Sequence, residues 1–388
     1  MNATALKQQP PALEWSPQQD DAIRAVQTWL KTPNAPQVFR LFGYAGTGKT
    51  TLAKELAREV KGSVLYATFT GKAALVLRAK GCDDASTIHS LIYKVEVDED
   101  TGEAKFLLNP ESDLADAELL IIDEVSMVGA DLAEDLLSFN KPILVLGDPA
   151  QLPPISSEGF FINAEPDIML TEVHRQAQDN PIIRMSMDIR EGKPLLPGEY
   201  GGSLVIRADA TDRDELAGHV LAADQLICGL NRSRVTYNRR IRSLKRLIDS
   251  AQPFRPMVGD RLICLRNKHS EALFNGSLWA AEEIEDALST HGDPFFKIRV
   301  GSLDEDRDPQ PVKVLPHFFN GTDKDLHWKV KRGYHEFTFG WAITCHKSQG
   351  SQWDDVIVFD ESGAFRDAQR NWIYTAITRA AERVTVVI

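Results

Sequence analysis

Apolar and polar positions along this chain fall into two styles. In the first, a short continuous apolar run ends in a turn and is followed by a stretch of helical character. QVFRLFG runs into a Gly-rich turn and then TLAKELAREV; SVLYAT, LLIIDEV (119–125) and KPILVLGD (141–148) are further runs of the same kind. Apolar runs of strand length alternating with helices predict a parallel sheet with covering helices. A helix is expected over 17–31, with Ser16 as N-cap and Pro17 at its first position. The same style returns near the C-terminus in FTFGWAIT, DDVIVFD and RVTVVI. In the second style apolar and polar residues alternate. KVEVDEDTGEAKFLL (94–108) does so on both sides of an Asp-Glu-Asp-Thr-Gly turn, which predicts a two-stranded hairpin. Another alternating system is expected from DQLICGLN (224–231). Residues 253–335 are rich in Pro, Gly and short β-like runs, which predicts a small β-barrel insertion. The pattern therefore predicts two α/β domains, each with a β insertion, behind a loose arm at 1–16.

Composition narrows the class. Of 388 residues, 43% are hydrophobic and 26% charged, which excludes collagen-like and fully disordered chains. Cys82, Cys228, Cys264 and Cys345 are scattered without CxxC spacing, against a structural zinc site and consistent with a reducing compartment. No apolar run reaches the roughly 18 residues of a membrane helix, and the N-terminus carries no secretory pattern. The expectation is a cytoplasmic protein without a membrane partner. The net charge of −12 does not exclude nucleic acid, because only the charge of the contact groove matters.

Three segments carry chemistry. Gly43-Tyr44-Ala45-Gly46-Thr47-Gly48-Lys49-Thr50 fits the phosphate-loop pattern between a strand and a helix, with Thr51 following. The glycines let backbone N–H groups curl around phosphate oxygens and the helix aims its N-terminal dipole at them. Lys49 is expected to reach the β- and γ-phosphates, and Thr50 to ligate Mg²⁺. The strand 119–123 ends in Asp123, placed to serve that ion, and Glu124, placed to polarise an attacking water. In GDPAQLPP (147–154), prolines stiffen a loop in which Gln151 would sense a γ-phosphate, and Gln19 has the donor and acceptor needed for an adenine edge.

The phosphate loop, IIDEVSM, GDPAQLPPI, LTEVHRQ (170–176), TCHKSQGSQWDDV (344–356) and YTAITRAAERV (374–384) together resemble superfamily-one DNA helicases of the RecD and Dda type, in the family's order. The resemblance implies two RecA-like domains, 1–177 and 178–388, binding ATP and Mg²⁺ between them and single-stranded DNA across their top, with movement 5′ to 3′. The hairpin 94–108 stands where the family carries its strand-splitting pin, and 253–335 where it carries an SH3-like barrel. Arg175 and Arg379 match the family's arginine fingers, which neutralise transition-state charge. The DNA-contacting set implied is Phe69, Thr70, Lys72, Thr87, His89, Trp341, Thr344, His346, Lys347 and Ser348. Phe69 stands where the family usually has Pro, and Trp341 where it has Tyr; both rings are candidates for stacking on bases. Phe106, on the hairpin, is a candidate wedge. Forked duplex DNA is the expected substrate and a monomer the expected active form. A DNA-stimulated clamp without unwinding and a nucleic-acid-independent P-loop switch or kinase are the alternatives.

Overall fold

The computed structural model describes residues 15–97, 104–153, 159–173, 179–268 and 271–388. The elements run β1 (Val38–Gly43), β2 (Val64–Thr68), β3 (Ser86–Thr87), β4 (Tyr93–Val97), β5 (Ala104–Leu108), β6 (Leu119–Asp123), β7 (Ile143–Gly147) and β8 (Ile168–Leu170), interleaved with α1 (Pro17–Lys31), α2 (Lys49–Glu59), α3 (Gly71–Ala79), α4 (Ile88–Ile92) and α5 (Ala130–Leu137). After α6 (Pro181–Arg190) come β9 (Gly198–Tyr200), β10 (Ser203–Ile206), α7 (Arg213–Ala222), β11 (Gln225–Cys228) and α8 (Asn231–Leu244). The remainder is β12 (Arg261–Cys264), β13 (Leu278–Leu288), β14 (Pro294–Ser302), β15 (Gln310–Val314), α9 (His317–Asn320), α10 (Trp328–Lys331), β16 (Phe337–Phe339), β17 (Ala342–Thr344), α11 (Cys345–Ser348), β18 (Trp353–Phe359), α12 (Gln369–Ile377) and β19 (Ala380–Val387).

The first sheet has the order β3-β2-β6-β7-β1-β8, and all its pairings are parallel. Its strands read as unbroken apolar runs because both faces are covered. In β7, Leu144 and Leu146 pack with Ala22, Val26, Leu52 and Leu56 of α1 and α2, while Ile143 and Val145 meet Ile88, Ile92, Leu132 and Leu136 on the other face. That is the two-residue period of a strand, buried on both sides. The expected capping box is present: Ser16 Oγ accepts from Gln19 N, and Gln19 Oε1 accepts from Ser16 N.

The second sheet has the order β17-β11-β18-β19-β10-β9, parallel except for the antiparallel edge pair β9–β10. Here the segment at 224–231 departs from expectation. β11 does not alternate; all four of its residues are buried, because it lies inside a parallel sheet covered on both faces. The chain leaves the first sheet after Leu170 and joins the second core at α6, whose Ile182, Met185 and Ile189 pack there. The expected boundary at 177/178 falls outside the described residues.

Between α8 and β17 stands an antiparallel five-stranded sheet, β15-β14-β13-β12-β16, around Trp279, Phe296, Phe319 and Phe337. It reaches further than the expected 253–335. FTFGWAIT is not one strand: Phe337–Phe339 pairs with β12, and Ala342–Thr344 pairs with β11 of the second parallel sheet. The switch occurs at Gly340, where a Cβ would stand 3.0 Å from the Leu262 carbonyl carbon and 3.1 Å from Ile263 N. The hairpin is the antiparallel pair β4–β5, with Val95 opposite Phe106. Its acidic turn at 98–103 lies outside the described residues, as does the arm 1–14.

A buried ion pair fastens the antiparallel sheet to the second domain. Arg242 of α8 donates through Nε to both oxygens of Asp260, at 2.9 and 3.1 Å, and its side chain is 1% exposed and that of Asp260 0%. The guanidinium also donates to Pro253 O and Arg255 O and lies 3.8 Å from the Phe339 ring centre. Trp341 belongs to this junction. Its ring is half-buried, its Nε1 donates to Asp260 Oδ1 at 3.2 Å, and the Lys245 and Arg261 cations stand 4.6 and 4.8 Å from the ring centre. Asp260→Ala leaves a buried guanidinium without its counter-charge. The expected loss is about 3–5 kcal/mol, read as a lowered melting midpoint, and an apolar Arg242→Met/Asp260→Leu pair is expected to recover much of it.

Candidate active site

The phosphate loop leaves β1 and enters α2 through Gly46 and Gly48, both with left-handed backbone (φ 78° and 80°) that only glycine adopts freely. Gly48 has no room for a side chain in any case, since a Cβ would stand 2.8 Å from Gln19 Nε2. Thr47 is buried and its hydroxyl donates to Tyr44 O. Lys49 Nζ folds back onto the loop and donates to Gly43 O at 2.6 Å and Tyr44 O at 3.1 Å. Thr50 Oγ1 donates to Asp123 Oδ2 at 2.9 Å, while Thr51 faces solvent. Gln19 is buried, its amide donating to Thr47 O at 3.0 Å and its carbonyl held by Ser16 N. It braces the loop, with one N–H and one carbonyl lone pair engaged, which leaves a second donor and a second acceptor position on the amide.

Three carboxylates, Asp123, Glu124 and Asp148, share the cleft with the Lys49 ammonium. Burial pushes the Asp123 carboxyl up, with the Glu124 charge adding to it and Lys49 opposing. Burial likewise raises Asp148, against Lys49 and the hydrogen bond from Tyr374. Glu124 holds a left-handed backbone (φ 57°, ψ 49°) at the tip of β6, an unfavourable conformation for a side-chain-bearing residue that turns the chain out of the sheet and into the cleft. Its Oε1 lies 3.5 Å from Gln151 Nε2 and 3.9 Å from Arg379 Nη1. Arg379 is 6% exposed and also donates to Thr375 O and Ser351 O. The second domain thus supplies a cation to a cleft of about 190 Å³ whose other wall holds Lys49, Thr50, Asp123, Glu124, Asp148 and Gln151. Arg175 lies outside the described residues.

Four contributors, Tyr374, Asp148, Thr375 and Gln349, were not singled out in the sequence. Tyr374 of α12 donates to Asp148 Oδ2 at 2.7 Å and accepts from Ala45 N at 2.8 Å, so one second-domain hydroxyl joins the phosphate loop to the carboxylate at the tip of β7. Thr375 accepts from Leu152 N, and Gln349 donates to Leu152 O. The available signal was positional: Asp148 ends an apolar strand as Asp123 does.

The residues proposed for DNA are dispersed in kind. Thr70 and Thr87 cap α3 and α4, accepting from Ala73 N and Ser90 N. Lys72 is not presented to solvent; it pairs with Asp304 in an ion pair whose side chains are 10% and 4% exposed. Ser348 is fully buried and donates to Cys345 O within its own turn. Thr344 is buried, and burial lowers the pKa of His346, favouring the neutral ring. Phe69, His89 and Phe106 form an aromatic chain, with Phe69–His89 centres 5.9 Å apart and His89–Phe106 centres 6.1 Å apart. Lys347 is exposed and donates to Asn275 Oδ1 at 2.7 Å.

Comparison with known proteins agrees with this geometry. A family described as an AAA domain matches residues 14–201, and one described as a UvrD-like helicase C-terminal domain matches 339–387. The chain is 29% identical over 368 residues to the ATP-dependent RecD2 DNA helicase of Deinococcus radiodurans, covering 88% of this chain and 46% of that one. It is 34% identical over 168 residues to the ATP-dependent DNA helicase dda of Enterobacteria phage T4, covering 39% of this chain and 37% of that one. The chain is thus similar to superfamily-one helicases of the RecD, Dda and Pif1 type. It spans about half or less of the length of these curated relatives. The fold is shared with Pif1 solved in work on unwinding of forked double-stranded DNA (TM-score 0.56, 19% identity, 96% of this chain and 92% of that one) and with Pif1 of Candida albicans (TM-score 0.53, 17% identity, 97% and 94%).

Tyr374→Phe removes both hydrogen bonds of the bridging hydroxyl. It leaves Ala45 N–H unpaired and Asp148 short of a donor, with an expected loss of about 1–3 kcal/mol read as a lower melting midpoint. Nucleotide that occupies the loop is expected to recover part of that loss, measured by melting with and without an ATP analogue.

Proposed function

We propose that this chain is an ATP-driven DNA helicase that moves 5′ to 3′ on single-stranded DNA, separates forked duplex and acts as a monomer. The observation that carries the reading is the split site: Lys49 and Glu124 on the first parallel-sheet domain face Arg379 from the second across one cleft. A site completed only when two domains meet couples the state of the nucleotide to the distance between them, which is what stepping along a strand requires.

Within the cleft, Lys49 leaves the loop carbonyls for the β- and γ-phosphates, and the backbone amides from Gly46 to Thr51 cradle them. Glu124 takes the proton of the attacking water. Arg379, already beside Glu124, neutralises charge spreading over the transferred phosphoryl group. The buried Gln151 Oε1 has no partner, which fits an acceptor waiting for a ligand group in this cleft. The donor set also fits Mg²⁺. Thr50 and Asp123 offer a hydroxyl and a carboxylate side by side, and no cluster of three or more ligating side chains exists among the described residues. A hard cation held by two protein oxygens takes its other ligands from phosphates and water. When bound, it supplies charge neutralisation to the phosphates.

The hairpin is read as the strand-separating pin and the antiparallel sheet as an SH3-like barrel. Phe106 is 58% exposed and stands edge-on to His89 and Tyr93, so the wedge face of the hairpin connects directly to the first domain.

The deciding measurement is ATP turnover with and without single-stranded DNA, followed by unwinding of forks with 5′ or 3′ tails. Strong stimulation and unwinding of the 5′-tailed fork are expected; stimulation without unwinding identifies a clamp, and no stimulation rejects the reading. Lys49→Ala and Glu124→Gln are each expected to abolish turnover in a folded protein, the second with ATP binding retained. Arg379→Ala is expected to lower turnover about 10³-fold or more with little change in ATP affinity. Phe106→Ala is expected to retain DNA-stimulated turnover and lose unwinding; equal loss of both in a less stable protein assigns the ring to packing.

A further inference from the structure

Beside the ATP cleft lies a second hollow of about 240 Å³, between the phosphate loop, the loop at 149–150, α6 and α12. The partition between the two spaces is one residue thick. Ala45, Asp148 and Gln151 line the cleft, while their chain neighbours Tyr44, Pro149 and Ala150 line the hollow. Tyr374 also lines the hollow and closes the partition, since its hydroxyl accepts from Ala45 N and donates to Asp148 Oδ2.

Among the described residues no acid lines this hollow, but Arg190 and Arg370 both do. Arg190, the last residue of α6, lies face-on over the Tyr44 ring, 3.4 Å from its centre. Stacking uses the face of a guanidinium and leaves its N–H donors, which lie in the plane, able to bond. The Arg190 Nε is buried and has no partner. Arg370 of α12 is exposed, and a Cβ on Gly192 would stand 3.1 Å from its Nη2, so this guanidinium rests over the turn that follows α6. Neither arginine enters an ion pair among the described residues. The Arg190 charge also reaches the partition: burial and Asp148 hold the Tyr374 hydroxyl well above the usual phenol range, and Arg190 opposes them.

Two unpaired cations beside a cavity without a counter-charge favour an anion there. The planar donor fork of a guanidinium matches the oxygens of a phosphate. One face of the Tyr44 ring is already covered by Arg190, so what the hollow offers is charge and donors, which suits a small oxyanion. The neighbouring cleft is the place where such an anion would be produced. There the cations stand among Asp123, Glu124 and Asp148, whereas the hollow presents cations alone.

We propose that this hollow receives inorganic phosphate as it leaves the ATP cleft, with Arg190 and Arg370 as its ligands and the Tyr374 bridge as the gate between the two spaces. This rests on the reading of the chain as an ATPase and adds to it a station for the departing product. Passage through the partition breaks the hydrogen bonds of Tyr374 to Ala45 and Asp148, which are contacts between the two domains. Release of phosphate and loosening of the domain contact are therefore one event, and the arginines stabilise the product on the far side of the gate.

The test uses the full chain with its cleft filled by ADP and beryllium fluoride, so that inorganic phosphate finds no room at the γ position. Melting midpoints are compared in phosphate and in chloride at matched ionic strength. Phosphate is expected to raise the midpoint of the wild type and to bind roughly ten-fold more weakly in Arg370→Gln, a surface change that removes one charge-assisted contact. The pair Arg190→Gln/Arg370→Gln is expected to lose the shift. A second readout follows a single turnover of ATP on oligothymidylate, with cleavage timed by acid quench and free phosphate by a fluorescent phosphate sensor. In Arg370→Gln free phosphate is expected to lag further behind cleavage than in the wild type. The proposal is overturned, with the ATPase reading left in place, by no phosphate shift in the wild type, by an equal shift in Arg370→Gln, or by a lag no longer than that of the wild type. Loss of the shift on saturation with oligothymidylate assigns the arginines to a strand and overturns it as well. A wild type that does not hydrolyse ATP overturns both.

Discussion

The arrangement of this molecule turns on one shared hydroxyl. Tyr374, on a helix of the second domain, accepts from the backbone of the phosphate loop and donates to Asp148 at the end of a first-domain strand. The Tyr374 hydroxyl and the Asp148 carboxylate are withdrawn from water, so each would carry an unmet desolvation cost if this contact were lost. Around it, the loop 148–152 is held by Asn371, Thr375 and Gln349, and Leu152 is buried in the core of the second domain rather than its own. The two sheets therefore meet on the loop that would touch the nucleotide. Movement of either domain has to be felt there.

The charges of the cleft are arranged to be incomplete. Lys49 shares the cleft with Asp123, Glu124 and Asp148, and two of these carboxyls are raised by burial. The ammonium rests on backbone carbonyls, the guanidinium of Arg379 stands at the outer limit of an ion pair with Glu124, and Gln151 keeps a buried oxygen without a donor. The Arg379–Glu124 contact is long and the Gln151 oxygen is unmatched, so both groups have capacity for charge-assisted contacts to a ligand. Left-handed backbone at Glu124 stores strain at a residue that faces the cleft, held by strand β6 on one side and the turn 125–127 on the other.

The antiparallel sheet does more than decorate the second domain. Its loop at 271–276 reaches the first domain, where Phe274 fills the space left by Gly71, and Asp304 pairs with Lys72. Asn275 of the same loop holds Lys347. One insertion thus contacts cations of both domains.

Much of this was legible in the chain alone. Unbroken apolar runs ending in Gly-Lys-Thr or Asp-Glu identify buried parallel strands and the chemistry at their tips, because strand period, helix capping and phosphate-loop glycines are local properties. The α1 capping box and the placement of Lys49, Thr50 and Asp123 follow from neighbours in sequence. What the sequence left open was partnership across distance. Nothing local tells that Lys72 meets Asp304, that Gln19 braces Thr47, that Trp341 meets Asp260, that Ser348 is packed inward, or that FTFGWAIT divides at Gly340 between two sheets. The bridge from Tyr374 to Ala45 spans more than three hundred positions. Such contacts are decided by which surfaces the folded domains bring together, and a residue type that suits phosphate, base or core equally well receives its role only from that packing.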